Sequence, residues 1–272
     1  MHWIVLGCGY TGERLAVRLL AEGHAVTATR RRAFELPGAR TVVVDLADRA
    51  TLEALPTGDA IVVCLAPPGD DVDGEVRSLL RATRTARRLV YVSSTGVYGP
   101  AYGAWVDERW PSQPITASGH ARVRAEAALA SNPGPAVATV VGSTVVLRPA
   151  GIYGPGRGIA ERLRAGTYRV IGDGTAHVSR IHVDDLVEAI VLAGASTVTG
   201  AINVADDAPD PIGEVADAIA ASLGLPPPPR VPAESVSPEI AGMLTANRRI
   251  ANRRMTAELG VVLRHPTWRT MI

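Results

Sequence analysis

The chain has 272 residues, 47% hydrophobic, 20% charged and 4% aromatic, with 28 basic residues against 27 acidic ones for a net charge of +1. That balance excludes the basic footprint and stacking platforms of a nucleic-acid binder and points to a small-molecule partner, while the length suits one large domain, alone or with a small lobe. All 28 bases are arginines, and the absence of lysine excludes a P-loop, a lysine Schiff base and any mechanism in which a lysine assists a tyrosine.

The first segment, Trp3 to Leu6, is an apolar strand. It carries no basic region ahead of it, and no stretch of the chain approaches ~18 uninterrupted apolar residues, so a cytoplasmic protein with no membrane partner is expected. Gly7-Cys8-Gly9-Tyr10-Thr11-Gly12 follows as G-x-G-x-x-G and opens a helix over Glu13 to Glu22, with Leu15, Ala16, Leu19 and Leu20 on one face. A strand running into this loop and out into a helix is the context of dinucleotide binding. Gly7 permits the turn, Gly9 the approach of a pyrophosphate and Gly12 the close packing of helix on strand, with Tyr10 and Thr11 in the same loop.

The second strand, Ala25 to Thr29, ends in Arg30-Arg31-Arg32 rather than in a carboxylate. An acidic residue about 20 positions beyond the glycines would accept from a ribose 2′-hydroxyl, whereas guanidinium groups pair with a 2′-phosphate. Thr29, Arg30 and Arg31 therefore favour NADP(H) over NAD(H), with a solvated charge run as the alternative. Strands follow at Thr41 to Val44, Ala60 to Leu65, Leu89 to Ser93 and Thr144 to Leu147. Helical spacing covers Arg49 to Ala54, Val72 to Arg87 and Ser118 to Ala130. Apolar runs alternating with amphipathic stretches predict an α/β fold with a doubly wound parallel sheet of Rossmann type. Cys8 and Cys64 fall within this pattern and read as reduced core thiols.

Beyond Arg148 the glycines at 151, 154, 156 and 158 loosen the alternation. Ile181 to Ala193 reads as a strand end running into a helix, Ala201 to Val204 as a short strand, and Pro226 to Pro229 as a stiff polyproline linker. The organisation expected is a Rossmann domain over 1–148, with 177–205 returning to it, and a small substrate lobe over 149–176 and 206–272.

Several motifs resemble the extended short-chain dehydrogenase/reductase superfamily, and within it the atypical, YeeZ-like branch. They are Asp45-Leu46, the run Val92-Ser93-Ser94-Thr95-Gly96-Val97-Tyr98-Gly99, the run Leu147-Arg148-Pro149-Ala150-Gly151-Ile152-Tyr153-Gly154-Pro155-Gly156, Gly172-Asp173-Gly174 and Ile181-His182-Val183-Asp184-Asp185-Leu186, with Asn203-Val204 after them. They span nearly the whole chain. The resemblance implies that Asp45 and Leu46 flank the adenine, that Leu65-Ala66-Pro67 passes the ribose and phosphates, and that Pro149 and Ile152 border the nicotinamide. For Asp45, a helix cap before Arg49 is the alternative. The resemblance also makes a homodimer paired through two long helices an expected assembly.

Members with ordinary chemistry use a hydroxyl after the fifth strand and Tyr-x-x-x-Lys on the next helix. Ser94 matches the hydroxyl, but the helix reads Ser118-Gly119-His120-Ala121-Arg122, with serine in place of tyrosine and arginine in place of lysine. Ser94, Ser118 and Arg122 are thus the candidate catalytic residues. Ser118 is too short and too weak an acid to replace a phenol, and its expected role is the N-cap of the helix. Tyr98, Tyr102, His120 and Tyr153 are weaker candidates for the proton donor.

His177, His182, Asp184 and Asp185 suggest a metal, but the carboxylates open a helix and are read as caps, so no metal is expected. Asn247-Arg248-Arg249 and Asn252-Arg253-Arg254 read as a solvated helix face, with contact to an anionic substrate group as the alternative. The function expected is an NADP(H)-binding oxidoreductase or epimerase on a polar carbonyl or alcohol, nucleotide-linked sugars included. The alternative is a non-catalytic NADP(H)-binding sensor or interaction protein.

Overall fold

In the computed structural model, residues 1–131 and 144–271 are described. The strands are β1 (His2–Leu6), β2 (Ala25–Arg30), β3 (Arg40–Val43), β4 (Ala60–Cys64), β5 (Arg88–Val92), β6 (Trp105–Val106), β7 (Thr144–Pro149), β8 (Gly151–Tyr153), β9 (Val170–Ile171), β10 (Arg180–His182), β11 (Gly200–Val204), β12 (Arg230–Val231) and β13 (Arg249–Ile250). The helices are α1 (Tyr10–Ala21), α2 (Arg49–Leu52), α3 (Val72–Ala82), α4 (Ala117–Ser131), α5 (Ile159–Arg164), α6 (Val183–Ala195), α7 (Ile212–Ser222), α8 (Pro238–Leu244) and α9 (Arg253–Glu258).

Seven strands form one parallel sheet in the order β11-β7-β5-β4-β1-β2-β3. Side chains alternate across it, as a strand requires. Trp3 and Val5 face one layer, where Leu15 and Leu19 of α1 and Leu186 and Ile190 of α6 cover them. Ile4 and Leu6 face the other, against Val76, Leu79 and Leu80 of α3 and Ala125 and Leu129 of α4. Helices on both faces of a parallel sheet make this a doubly wound, Rossmann-type α/β fold. Cys8 and Cys64 are buried and free, and burial pushes the Cys64 thiol up to about 12.

The order reverses between β1 and β4, whose carboxyl ends therefore flank a crevice, and open α/β sheets place ligands at such a point. Strand β11 returns to the sheet beside β7, with Ala201 opposite Val146. Away from the sheet, Leu163, Tyr168, Val170, Val215, Ile219 and Trp268 form a hydrophobic cluster of their own. The proline run ends in β12, which pairs with β9.

Three local features differ from the sequence expectation. Helix α3 stops at Ala82, where Thr83 turns its hydroxyl back onto Leu79 O at 2.9 Å, and Arg88, five residues on, already belongs to β5. The N-cap of α4 is Thr116, whose Oγ1 accepts from Gly119 N at 3.1 Å; Ser118 lies inside the first turn and hydrogen-bonds Glu239 instead. Asn247-Arg248-Arg249 is not a solvated helix face: Asn247 sits at φ +46°, Arg249 opens β13, and Arg248 donates to Tyr98 O from a half-buried position.

Candidate active site

The glycine loop joins β1 to α1. Gly7 has φ +89°, and a Cβ there would lie 2.7 Å from Ala66 N; a Cβ on Gly12 would lie 2.7 Å from Gly7 O. Both must be glycine for the loop to close against β4 and α1. Gly9 differs, because a Cβ there would meet nothing within 4 Å. It borders a cleft of about 810 Å³ lined by Gly7, Gly9, Thr29, Arg30, Arg31, Asp45, Leu46 and the Leu65-Ala66-Pro67 turn, among others. Gly9 is also the residue from which α1 starts, so helix amides open toward that space.

Thr29 is buried, and its Oγ1 accepts from Gly7 N at 3.3 Å, so it props the loop from below. Arg30 is held in place: Nε donates to Cys8 O at 2.5 Å, Nη2 reaches Glu13 at 2.6 Å, and the guanidinium lies 4.5 Å over the Phe34 ring. Arg31 is exposed on the cleft wall and has no hydrogen-bond or ion-pair partner among the described residues. Asp45 uses Oδ1 to accept from Ala47 N, while the cap of α2 is Asp48, which accepts from Ala50 N. The capping alternative for Asp45 is thereby removed. Thr11 is buried in the first turn of α1, and Tyr10 turns away from the cleft to donate to Pro155 O at 3.1 Å, between Arg14 and Arg157.

A second cavity, of about 320 Å³, opens at the carboxyl ends of β5 and β7. It gathers Ser94, Ser118, Arg122, Pro149 and Ile152 onto one wall system, so the three candidate catalytic residues and the two expected to border a nicotinamide are together. Ser94 Oγ accepts from Gly96 N at 3.0 Å, which leaves its own proton to donate. Arg122 is anchored by Nη1 to Val92 O at 2.5 Å. His177, Asn247 and Arg248 complete the opposite wall, with His177 Nδ1 3.2 Å from Asn247 Oδ1 and Nε2 3.0 Å from Arg249 Nη2. Burial lowers the Arg248 pKa to about 10. The sequence marks these residues but not their place here, because a left-handed Asn247 and a two-residue strand, not a periodic pattern, bring them in.

The weaker donor candidates do not line this cavity. Tyr98 is fully buried beneath it, donating to Asn203 Oδ1 and accepting from Arg148 Nη1, both at 2.8 Å, and burial raises its pKa. Tyr102 is 90% exposed at a loop tip, His120 is exposed on α4, and Tyr153 faces a different cavity. Below the site, Ser93, Glu126, Arg148, Tyr98 and Asn203 form a buried chain of hydrogen bonds joining β5, α4, β7 and β11.

The carboxylates of α6 do not cap it as expected. His182 Nδ1 accepts from Asp184 N at 3.2 Å, and Asp185 is buried and accepts from Arg264 N and His265 N, because the C-terminal segment crosses the helix start and claims that carboxylate. His182, Asp184 and His265 bring one potential ligand atom each within 4.8 Å of one another. Among the described residues, no helix is long and apolar enough to cross a membrane.

Residues 3–205 match the model of the NAD dependent epimerase/dehydratase family. The chain belongs to that family. Family membership makes it one of an NAD(P)-binding group of epimerases, dehydratases and reductases. Among curated proteins it is 34% identical to a 3-diazoavenalumate denitrifying reductase of a Streptomyces species, over 99% of this chain and 98% of that protein. It is 33% identical to protein YeeZ of Escherichia coli K12 over 69% of this chain and 71% of that one, which agrees with the resemblance in the motifs. A solved structure of a functionally unknown conserved protein from Silicibacter pomeroyi superposes with a TM-score of 0.82 at 31% identity, covering 99% of this chain and 95% of that one.

Proposed function

We propose that the chain is an NADP(H)-dependent reductase of this family, acting on a carbonyl or the corresponding alcohol in the second cavity. The observation that carries the reading is the open space over Gly9, continuing to Arg30 and Arg31 on one side and lying one strand away from Ser94 and Arg122 on the other. The donor set of the cleft fits a phosphorylated dinucleotide. Helix amides and a glycine without a side chain suit a pyrophosphate, and two guanidinium groups at the end of β2, one of them unpartnered, suit a 2′-phosphate. The reductase named among the relatives supports reduction over epimerisation.

Gly7, Gly9 and Gly12 would hold the pyrophosphate loop, Arg30 and Arg31 the 2′-phosphate, Asp45 and Leu46 the adenine, and Leu65-Ala66-Pro67 the ribose and phosphates. When bound, the nicotinamide supplies hydride exchange. Ser94 donates its free hydroxyl proton as a hydrogen bond to the substrate oxygen, and Arg122, fixed on Val92 O, presents its remaining N–H groups to that oxygen as negative charge develops on it. Arginine at this position stabilises an oxyanion but stays charged, so it does not pass the proton itself. Among the described residues no phenol lines the cavity, and protonation is assigned to water entering by its mouth.

The reading is tested by following NADPH consumption with a panel of aldehydes, ketones, keto acids and keto-sugars. Turnover of at least one class, cut by about 100-fold in kcat in Ser94→Ala with NADPH affinity kept, is expected. NADPH binding with no turnover across the panel would count against the reductase reading and in favour of an NADP(H)-binding sensor.

A further inference from the structure

A third cavity, of about 400 Å³, shares Gly151, Ile152, Arg157, Val178 and Leu244 with the second and extends from it between α5 and α7. Its lining is mostly apolar, with Ile152, Ile159, Ile212, Val215, Ile219 and Trp268. Of the charged residues on its rim and walls, Arg157, Arg162 and Arg164 are exposed and Glu161 is half-buried, whereas one guanidinium is buried among the apolar side chains. Arg180 lines the cavity, is 6% exposed, and spends only Nη1 on the protein, donating to Val178 O at 2.8 Å. Its Nη2 is buried with no hydrogen-bond partner among the described residues. Asp206 acts on Arg180 through space only, since no carboxylate stands within ion-pair distance of this guanidinium among the described residues.

A buried guanidinium left half satisfied is expensive, and such groups in native proteins call for an explanation. Desolvation already depresses its pKa, so the charge is held there against the cost of burial. An anion entering along the apolar wall would meet two complementary features together: greasy walls for its body and an unpaired planar donor for its head. Tyr153, whose hydroxyl is also buried with no hydrogen-bond partner among the described residues, lines the same space.

We propose that the third cavity is the specificity pocket for an apolar carboxylic acid, whose carboxylate pairs with Arg180 and whose hydrocarbon or aryl body lies against Ile212, Val215 and Trp268. The cavity's role as the far end of a substrate site rests on the reductase reading; its capacity to bind the acid does not. It accounts for the wall shared with the second cavity, because an acid seated on Arg180 runs back past Ile152 toward Ser94 and Arg122. A nucleotide sugar, polar along its whole length, would leave these apolar walls unsatisfied.

Trp268 on the cavity wall gives a readout independent of turnover. 3-Phenylpropanoate and octanoate, titrated into the full chain without NADPH, are expected to change tryptophan fluorescence and to bind about tenfold or more tighter than 3-phenylpropanamide and octanamide. Trp268→Phe should remove the signal, and Arg180→Gln should remove the preference for acid over amide while leaving NADPH binding in the cleft unchanged. Because Arg180→Gln disturbs a buried charge, Ala160→Trp provides the second arm: it fills the cavity from α5, keeps the arginine at position 180, and should abolish binding of both acids. Equal affinity for acids and amides, an acid preference retained in Arg180→Gln, or acid binding retained in a folded Ala160→Trp would overturn the assignment. Absence of NADPH turnover with intact acid binding would count against the reductase reading alone.

Discussion

Gly9 and Gly12 separate folding from binding within four residues. A Cβ at Gly12 would press on the carbonyl of Gly7, a backbone atom that cannot move aside, so Gly12→Ala should cost about 1–3 kcal/mol of stability. A Cβ at Gly9 meets nothing within 4 Å among the described residues, and its φ of −90° lies outside the left-handed region. Gly9→Ala should therefore melt within about 0.5 kcal/mol of the parent yet lose NADPH affinity by about tenfold or more, since the methyl group would occupy the space read as the pyrophosphate site. Thermal melts and calorimetric titration of both variants check the pair. Asp206 offers a test by pH. Burial raises its pKa from 3.8 to about 7, so the folded state holds a proton that the unfolded chain releases near pH 4. The stability this group contributes is full below about pH 4 and is lost as pH rises to about 7. Asp206→Asn, which keeps the shape and removes the titration, should flatten that decline and be more stable than the parent at pH 8 by on the order of 2 kcal/mol in denaturant titrations. At this scale the sequence exposed the glycines, Ser94 and Arg122, whose chemistry follows from residue type and spacing. It could not expose the partnerless Nη2 of Arg180, which depends on what lies around a guanidinium in three dimensions.

Helix α4 carries Ser118 and Arg122, and its placement depends on two features that a linear reading separates poorly. Both Thr116 and Ser118 have the chemistry of a cap, and periodicity cannot choose between residues two apart. The structure places the cap at Thr116, so Thr116→Ala should lose about 1 kcal/mol and Ser118→Ala much less. The other feature is the ion pair of Glu126 with Arg148 at 2.6 Å, with side chains 12% and 9% exposed. Glu126→Ala would leave the Arg148 guanidinium buried without its carboxylate and should cost about 3–5 kcal/mol in equilibrium unfolding. The strands were legible because continuous apolar runs bounded by glycine or polar residues have few alternatives in a buried parallel sheet. The short strands β6, β9, β12 and β13 have two residues each and no period to read. That is why the segment at Asn247 to Arg249, which walls the second cavity, resembled an exposed helix.

For the whole molecule, the reversal of strand order between β1 and β4 opens a crevice of the kind in which open α/β sheets bind ligands, and the Leu65-Ala66-Pro67 turn and the glycine loop both line it. The glycine loop lines the cleft, and the second and third cavities share a wall at Gly151, Ile152, Arg157, Val178 and Leu244. In a chain without lysine, guanidinium groups serve both sites, with Arg122 in the second cavity and Arg30 and Arg31 in the cleft. Calorimetric titration of the full chain with NADPH and with NADH bears most directly on this account. NADPH should bind about tenfold or more tighter than NADH, and the difference should vanish when Arg30 and Arg31 are both changed to alanine. Equal affinity of the unaltered chain for the two nucleotides would contradict it.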